Sequence, residues 1–216
     1  MGLLFWQDMF VAGTDTISAT VEWAMAELLR NPALIKKAQA ELDEVVGLEK
    51  KMGESDIAKL PYLQAIVKEA LRLHPPTPLI IPRKSDSSSE IAGYVVPENT
   101  QVFVNLWGIG RDPKVWKEPL KFNPERFLEC NTDYKGQDFE LIPFGAGRRI
   151  CIGLPLAHIM LHFVLGSLIH AFNWSIPMVN KNGDFDVDMA EKFGITLQKA
   201  VPLVAVPTPR LPVNLY

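Results

Sequence analysis

Two cysteines occur in 216 residues, and only one of them sits among residues that could put a thiol to work. Residues 143–153 read Pro-Phe-Gly-Ala-Gly-Arg-Arg-Ile-Cys-Ile-Gly, and an apolar segment begins directly after them. The reactive and metal-ligating form of cysteine is the thiolate, which needs amide donors and the positive end of a helix nearby. Glycines at 147 and 153 would let the backbone turn back and aim N–H groups at the Cys151 sulfur. On these residues alone a buried free cysteine in a Gly-rich turn stays open as the plain alternative. Cys130 has no such context and reads as a free thiol. The two cysteines form neither a CxxC pair nor a zinc-ligand spacing, so a zinc ribbon or a disulfide framework is not expected.

Three further groups have chemistry in their spacing. Glu69 and Arg72 stand three apart on a helical stretch, on one face, where they can pair. Ala12-Gly13-Thr14-Asp15-Thr16 puts a carboxyl and two hydroxyls inside an otherwise apolar helix, where the simplest expectation is back-bonding to the preceding turn. His158 and His162 have the four-residue spacing of metal ligands, but no Glu or third ligand accompanies them. His74 reads only as the end of its helix.

The elements that must position these residues follow from periodicity. Residues 3–29 carry Leu4, Met9, Val11, Ala12, Ala19, Trp23 and Ala26 at helical spacings, and Asn31-Pro32 ends the run. No N-cap precedes it, so the expectation is a helix that starts further upstream in a longer chain. A second helix, about 32–46, is amphipathic. A third starts at Pro61 and stops before Pro75-Pro76. The period then changes to short strands at 80–84, 90–96 and 101–105. Residues 106–150 form a Pro- and Gly-punctuated meander, and that much irregular chain in one domain usually serves a site. A helix over 154–172 and short strands near 194–199 and 203–207 close the chain. Cys151 to Asn180 holds no Asp, Glu, Lys or Arg, enough to pass a length test for a membrane span, yet three histidines and Pro155 favour a buried core helix. The net charge of −3 provides no basic field for nucleic acid.

The motifs also fit a pattern. Phe144, Gly147, Arg149, Cys151 and Gly153 match FxxGxRxCxG, Glu69-Ala-Leu-Arg72 matches ExxR, and Pro124-Glu125-Arg126-Phe127 follows downstream. With these residues the chain resembles the cytochrome P-450 family of haem-thiolate monooxygenases. Segments such as AGTDT, LRLHPP, IPRKS and EKFGITLQK resemble plant microsomal members, similar to geraniol 8-hydroxylase-like and ferruginol synthase-like enzymes. The resemblance runs from residue 3 to about 207 but covers only the carboxyl-terminal half or less of the family fold.

It implies a mainly α fold with small β-sheets, a truncated, single partial domain over 1–216. Its parts are an oxygen-activating helix 3–29, an ExxR helix 61–73, strands within 80–105, a meander 106–142, a cysteine haem loop 143–153, a helix 154–172 and terminal strands 194–207. It implies haem b with its iron bound axially by Cys151, Phe144 over the proximal face, Gly147 and Gly153 shaping the loop, and Arg149 and Arg83 on the propionates. Asp15 and Thr16 would handle protons and hydrogen-bond the activated oxygen, with Gly13 loosening the helix beside them. Ile17 stands where relatives often carry a second Thr or Ser, which puts the water relay there in question. Glu69, Arg72 and Arg126 would form a buried structural cluster. Phe10, Val11, Ala12, Thr77, Pro78, Leu79, Ile80 and Phe193-Gly194 would line an apolar substrate pocket.

The implied partners are O2, a small lipophilic substrate and an NADPH-cytochrome P-450 reductase that delivers electrons from NADPH. No nucleic acid is expected. The implied location of the full-length parent is the cytoplasmic face of the endoplasmic reticulum membrane, held by an anchor missing from this chain. The implied activity is insertion of one oxygen atom from O2 into a terpenoid. The alternative is a truncated, catalytically inactive haem-site fragment.

Overall fold

The structure, a computed structural model, describes residues 2–177 and 187–216, with side chains described from residue 9 onward. Of the apolar positions read for the first helix, Leu4 therefore lies outside the described side chains. Helix α1 spans Gly2–Arg30 and α2 spans Pro32–Val45, separated only by Asn31. Proline at the first position of α2 forces this break, because its ring cannot continue the preceding helix. Helix α3, Pro61–Leu73, also starts on proline, and its first free amides are capped from a distance. Tyr62 and Leu63 donate their N–H groups to the Glu41 carboxylate of α2 at 2.7 and 2.9 Å. Burial pushes the Glu41 carboxyl up despite those two hydrogen bonds. Ten of the thirteen α3 residues are buried, so this helix is the axis of the core.

A one-turn α4 covers Leu106–Ile109, and the long α5 covers Leu154–Ala171. The core is packed from Trp23, Met25 and Leu28 of α1, Ile35 and Leu42 of α2, Leu63, Ile66 and Leu71 of α3, and Leu161, Leu165 and Ile169 of α5. Gly166 of α5 sits where α5 meets Met52 and Leu63. A Cβ there would come within 2.8 Å of the Leu63 Cδ2, so a larger residue would make the Met52 and Leu63 side chains shift.

Among the described residues, eight short strands make four separate two-stranded antiparallel sheets. β1 (Arg83–Lys84) pairs with β4 (Gln101–Val102), and β2 (Ser89–Ile91) pairs with β3 (Tyr94–Val96). β5 (Phe172–Ser175) pairs with β8 (Val206–Pro209), and β6 (Glu191–Lys192) pairs with β7 (Gln198–Lys199). The single strand expected over 90–96 is a hairpin, because Ala92 and Gly93 both take positive φ, 51° and 83°, as a two-residue hairpin turn demands. Strand β5 was not expected. It forms because the chain leaves α5 extended at Phe172 and finds the edge of β8.

The expectation that α5 is a buried core helix holds for one face only. Leu161, His162, Leu165, Gly166, Ile169 and His170 are buried, while Leu156 and Phe163 are exposed. Among the described residues α5 is the one helix long and apolar enough to cross a membrane by length and composition. Its carboxyl end is held in a polar clasp. Arg210 donates from Nη1 to the carbonyls of Ile169 and His170 at 3.2 and 2.9 Å and from Nη2 to both carboxylate oxygens of Asp43 of α2 at 2.9 and 2.7 Å. The last carbonyls of a helix lack partners, and a cation there also suits the helix dipole.

Candidate functional site

The cysteine loop is folded by its own backbone. Gly145 donates to Ile142 O at 2.8 Å, and Cys151 donates its N–H to Phe144 O at 2.9 Å, closing the loop. Gly145 and Gly147 take φ of +73° and +67°, the left-handed region that other residues enter at a cost. The sequence reading placed this need at 147 and 153 and missed Gly145. Gly153 has φ −80° and ψ 0°, ordinary right-handed backbone open to any residue. What Gly153 contributes is proximity, since a Cβ placed on it would lie 3.7 Å from the Cys151 Sγ. The sulfur therefore lies close to the residue that precedes α5, and among the described residues the Ile152 and Gly153 N–H groups donate to no backbone carbonyl. Cys151 is a free, exposed thiol at the positive end of an eighteen-residue helix.

Other elements converge on this loop. Ile80 and Arg83 reach it from the segment that follows α3: the Ile80 Cδ1 and an Arg83 guanidinium nitrogen lie 3.1 and 3.6 Å from a Cβ built on Gly145. Ile80 itself holds a φ of 51°, a strained value for a β-branched residue. Arg149 is exposed at the rim. Phe144 packs half-buried against the core, its ring 5.5 Å from that of Tyr134.

Behind the loop, Glu69 and Arg72 are fully buried and paired through two hydrogen bonds of 2.7 and 2.8 Å. Arg126 joins from the Pro124–Phe127 turn at 3.1 Å, and the Asn123 N–H donates to the same Glu69 oxygen at 2.8 Å. Arg72 spends its remaining donors on the carbonyls of Gly110, Pro119 and Lys121. Arg126 reaches Lys117 O and Lys121 O. Both guanidinium groups lie over the Trp116 ring. Charges removed from water this completely are tolerable only when every lone pair and N–H is used, and here the meander carbonyls use them.

A second polar network escaped the sequence reading, which saw His74 only as a helix end. His74 is buried at the C-cap of α3, stacked on Trp23 at 4.1 Å, with its Nε2 2.9 Å from Glu27 and its Nδ1 3.7 Å from Glu191. Burial acts to raise the Glu191 carboxyl, but the nearby His74, the hydrogen bond from Trp107 and the charge of Arg111 outweigh it and hold the group below the usual range. This network ties β6, the strand before Phe193, to α1 and α3.

The helix α1 motif makes the back-bond that was its simplest expectation. The helix runs unbroken through Gly13, and the Thr16 hydroxyl donates to Ala12 O at 2.6 Å, the plain back-bond. Asp15 is exposed. Phe10, Val11, Ala12, Leu79 and Phe193 are exposed as well, and Pro78 is buried. A cavity of about 710 Å³ lies between α1 and α5, lined by Ile17, Val21, Met160, Val164 and Trp174 among others. His158 and His162 are engaged with protein groups: His158 Nδ1 is 2.6 Å from the Tyr134 hydroxyl, and His162 Nδ1 donates to His158 O at 2.5 Å.

The donor set indicates the metal chemistry. Among the described residues no three His, Cys, Asp or Glu side chains gather as a metal cage. A bare zinc ion needs three or four protein ligands, whereas a haem iron arrives with four nitrogens of its own and takes one axial thiolate. The open sulfur, the amides beside it and the neighbouring arginines fit that group.

Comparison with known proteins agrees with this geometry. A family model described as Cytochrome P450 matches residues 5–201. This chain belongs to the cytochrome P450 family. It is 58% identical over 202 residues to a geraniol 8-hydroxylase of Swertia mussotii, covering 94% of this chain and 40% of that protein. It is 58% identical over 203 residues to a geraniol 8-hydroxylase of Catharanthus roseus, and 52% identical over 212 residues to a flavonoid 3',5'-hydroxylase of Petunia hybrida. Among solved structures, a zebra fish cytochrome P450 determined with progesterone superposes with a TM-score of 0.82 at 38% identity, over 94% of this chain and 44% of that one. The chain spans about 40% of the length of the curated relatives it matches. Its fold is accordingly a partial cytochrome P450 fold, mainly helical with small sheets, and family membership implies haem as the cofactor.

Proposed function

We propose that this chain carries the haem-thiolate site of a monooxygenase that inserts one oxygen atom from O2 into a lipophilic substrate, a terpenoid. The observation that carries the reading is the Cys151 sulfur, exposed near the start of α5, with no group of three ligating side chains among the described residues. When bound, haem b would supply an iron at which O2 is activated, with electrons delivered from NADPH by a membrane-bound NADPH-cytochrome P-450 reductase. The chain's own residues hold and orient that group. Cys151 donates its sulfur, Phe144 covers the proximal face, Gly147 and Gly153 shape the loop, and Arg149 and Arg83 pair with the propionates. Asp15, exposed on α1, takes protons from solvent at its carboxylate and passes them on, and Thr16 supplies a hydroxyl one residue away. Phe10, Val11, Ala12, Pro78, Leu79, Ile80 and Phe193 present apolar surface to the substrate. The terpenoid class is supported by the likeness to geraniol 8-hydroxylases at 58% identity, against 52% for flavonoid hydroxylases. The likeness to plant enzymes of this kind supports the cytoplasmic face of the endoplasmic reticulum as the location of the full-length parent.

A second reading is favoured by the exposure of Phe10 and Val11 on α1: the 216 residues bind haem on one face and do no chemistry by themselves. A reduced, carbon monoxide difference spectrum of the purified chain loaded with haem tests both readings, beside Cys151→Ser. A thiolate-type long-wavelength Soret band that the Ser variant lacks is the expected result. A band indifferent to Cys151, or none, refutes the haem-thiolate assignment for this chain. A Cys151-dependent band without terpenoid oxidation in the presence of NADPH and a reductase selects the second reading.

A further inference from the structure

We propose that Tyr134 and His158 are a positioning pair that fixes the Phe144 ring, and with it the Cys151 loop, against the haem face. This inference rests on the haem-thiolate reading. Tyr134 is a meander residue only 2% exposed, and its hydroxyl lies 2.6 Å from His158 Nδ1, a short hydrogen bond. Burial and then the Asp133 charge push the phenol pKa well above its ordinary value, so Tyr134 keeps its proton and is the donor. Burial and then the Lys135 charge lower His158, which leaves a neutral imidazole whose Nδ1 accepts. The proton of that imidazole therefore sits on Nε2.

The geometry around the pair explains why it matters for the loop. His158 stands in the second turn of α5, the helix whose start lies under the Cys151 sulfur. Tyr134 is anchored from the other side by its own N–H to Asp133 Oδ1 at 2.8 Å, while Lys68 of α3 holds Thr132 O at 2.8 Å. Phe144 is thus gripped twice. Its carbonyl accepts the Cys151 N–H, and its ring rests against a tyrosine ring at 5.5 Å and 52° that one hydrogen bond locks to α5. Without that bond the Tyr134 ring loses its fixed setting and the Phe144 ring loses its support. The sequence held no signal of this pair, because 24 residues separate its members.

The test uses the full 216-residue chain, haem-free and haem-loaded, as wild type, Tyr134→Phe, His158→Asn and Arg210→Ala. In the haem-free chain, imidazole nitrogen shifts should show His158 protonated on Nε2 with Nδ1 accepting, and Tyr134→Phe should lose the acceptor signature. In the haem-loaded chain, Tyr134→Phe should shift both the reduction midpoint and the Soret position of the ferrous carbon monoxide complex. His158→Asn, whose amide oxygen can accept where Nδ1 did, should keep wild-type values. Arg210→Ala, which loosens the far end of α5, should cost stability without shifting either. A Tyr134→Phe chain with unchanged midpoint and Soret position, beside a normal wild-type band, overturns this inference alone, as does a wild-type His158 protonated on Nδ1. A wild-type chain that gives no thiolate band overturns the reading beneath it.

Discussion

Replacing Glu69 by glutamine should be among the most damaging isosteric changes available in this chain. Its carboxylate accepts four hydrogen bonds, from Arg72 Nε and Nη2, Arg126 Nε and the Asn123 N–H, with no solvent access. The amide keeps the shape but removes the one negative charge between two guanidinium groups, and its NH2 must face a donor. Breaking a buried ion pair from one side costs about 3–5 kcal/mol, because the remaining charge stays buried without its partner. With a urea slope of about 2 kcal/mol/M, the unfolding midpoint should fall by about 2 M. Fluorescence suits the assay, since Trp116 lies over both guanidinium groups. A second variant, Arg126→Met, makes the measurement a cycle. Removing Arg126 should cost clearly less in the Glu69→Gln background than alone, since both changes break the same 3.1 Å contact. A loss under about 1 kcal/mol for Glu69→Gln, or strict additivity of the pair, would refute the claim that this cluster pins the meander.

Two other expectations are independent of that cluster. Burial and its neighbours lower the His162 pKa from 6.5 to about 4, so below pH 6.5 the unfolded chain takes up a proton there that the folded chain refuses. Stability from this group is complete above pH 6.5 and declines as pH falls towards 4, by roughly 3 kcal/mol in all; urea midpoints at pH 7.5 and 4.5 should show it, and His162→Gln should flatten the slope, with His158 supplying a smaller residue of the same sign. Gly145→Ala forces a side chain into φ +73° and should cost about 1–2 kcal/mol, a drop of several degrees in Tm, whereas Gly153→Ala, at φ −80° with an ordinary 3.7 Å contact, should leave Tm nearly unchanged.

What could be read from the sequence was local, and what could not was relational. Helices α1, α2, α3 and α5 announce themselves because period and proline act within a few residues: Pro32 and Pro61 mark the starts of α2 and α3. The candidate metal ligand was legible because a thiolate, glycines and arginine must lie within ten residues to form one loop. The hairpin over 89–96 was read as a single strand because Ala92, a residue that rarely takes positive φ, occupies its turn. Glu41 capping α3, His74 between Glu27 and Glu191, and Arg210 on the end of α5 join residues 21 to 167 positions apart. No period or motif reports such pairs; only the packing of four helices brings them together.

That contrast also separates the two faces of the proposed haem site. Beneath the sulfur several supports converge. The loop closes from Cys151 to Phe144, Gly145 sits against Ile80 and Arg83, Tyr134 backs Phe144, and the Glu69 cluster holds the meander behind. Along α1 the opposite holds, with Phe10 and Val11 open and the Thr16 hydroxyl spent on Ala12. In the proposed site the iron ligand, Cys151, belongs to the first face. Oxygen transfer needs the second as well: a hydroxyl free to turn from its own helix, and apolar walls that exclude water from the reacting atoms. On the proposed reading, haem binding and oxygen transfer therefore depend on different residues.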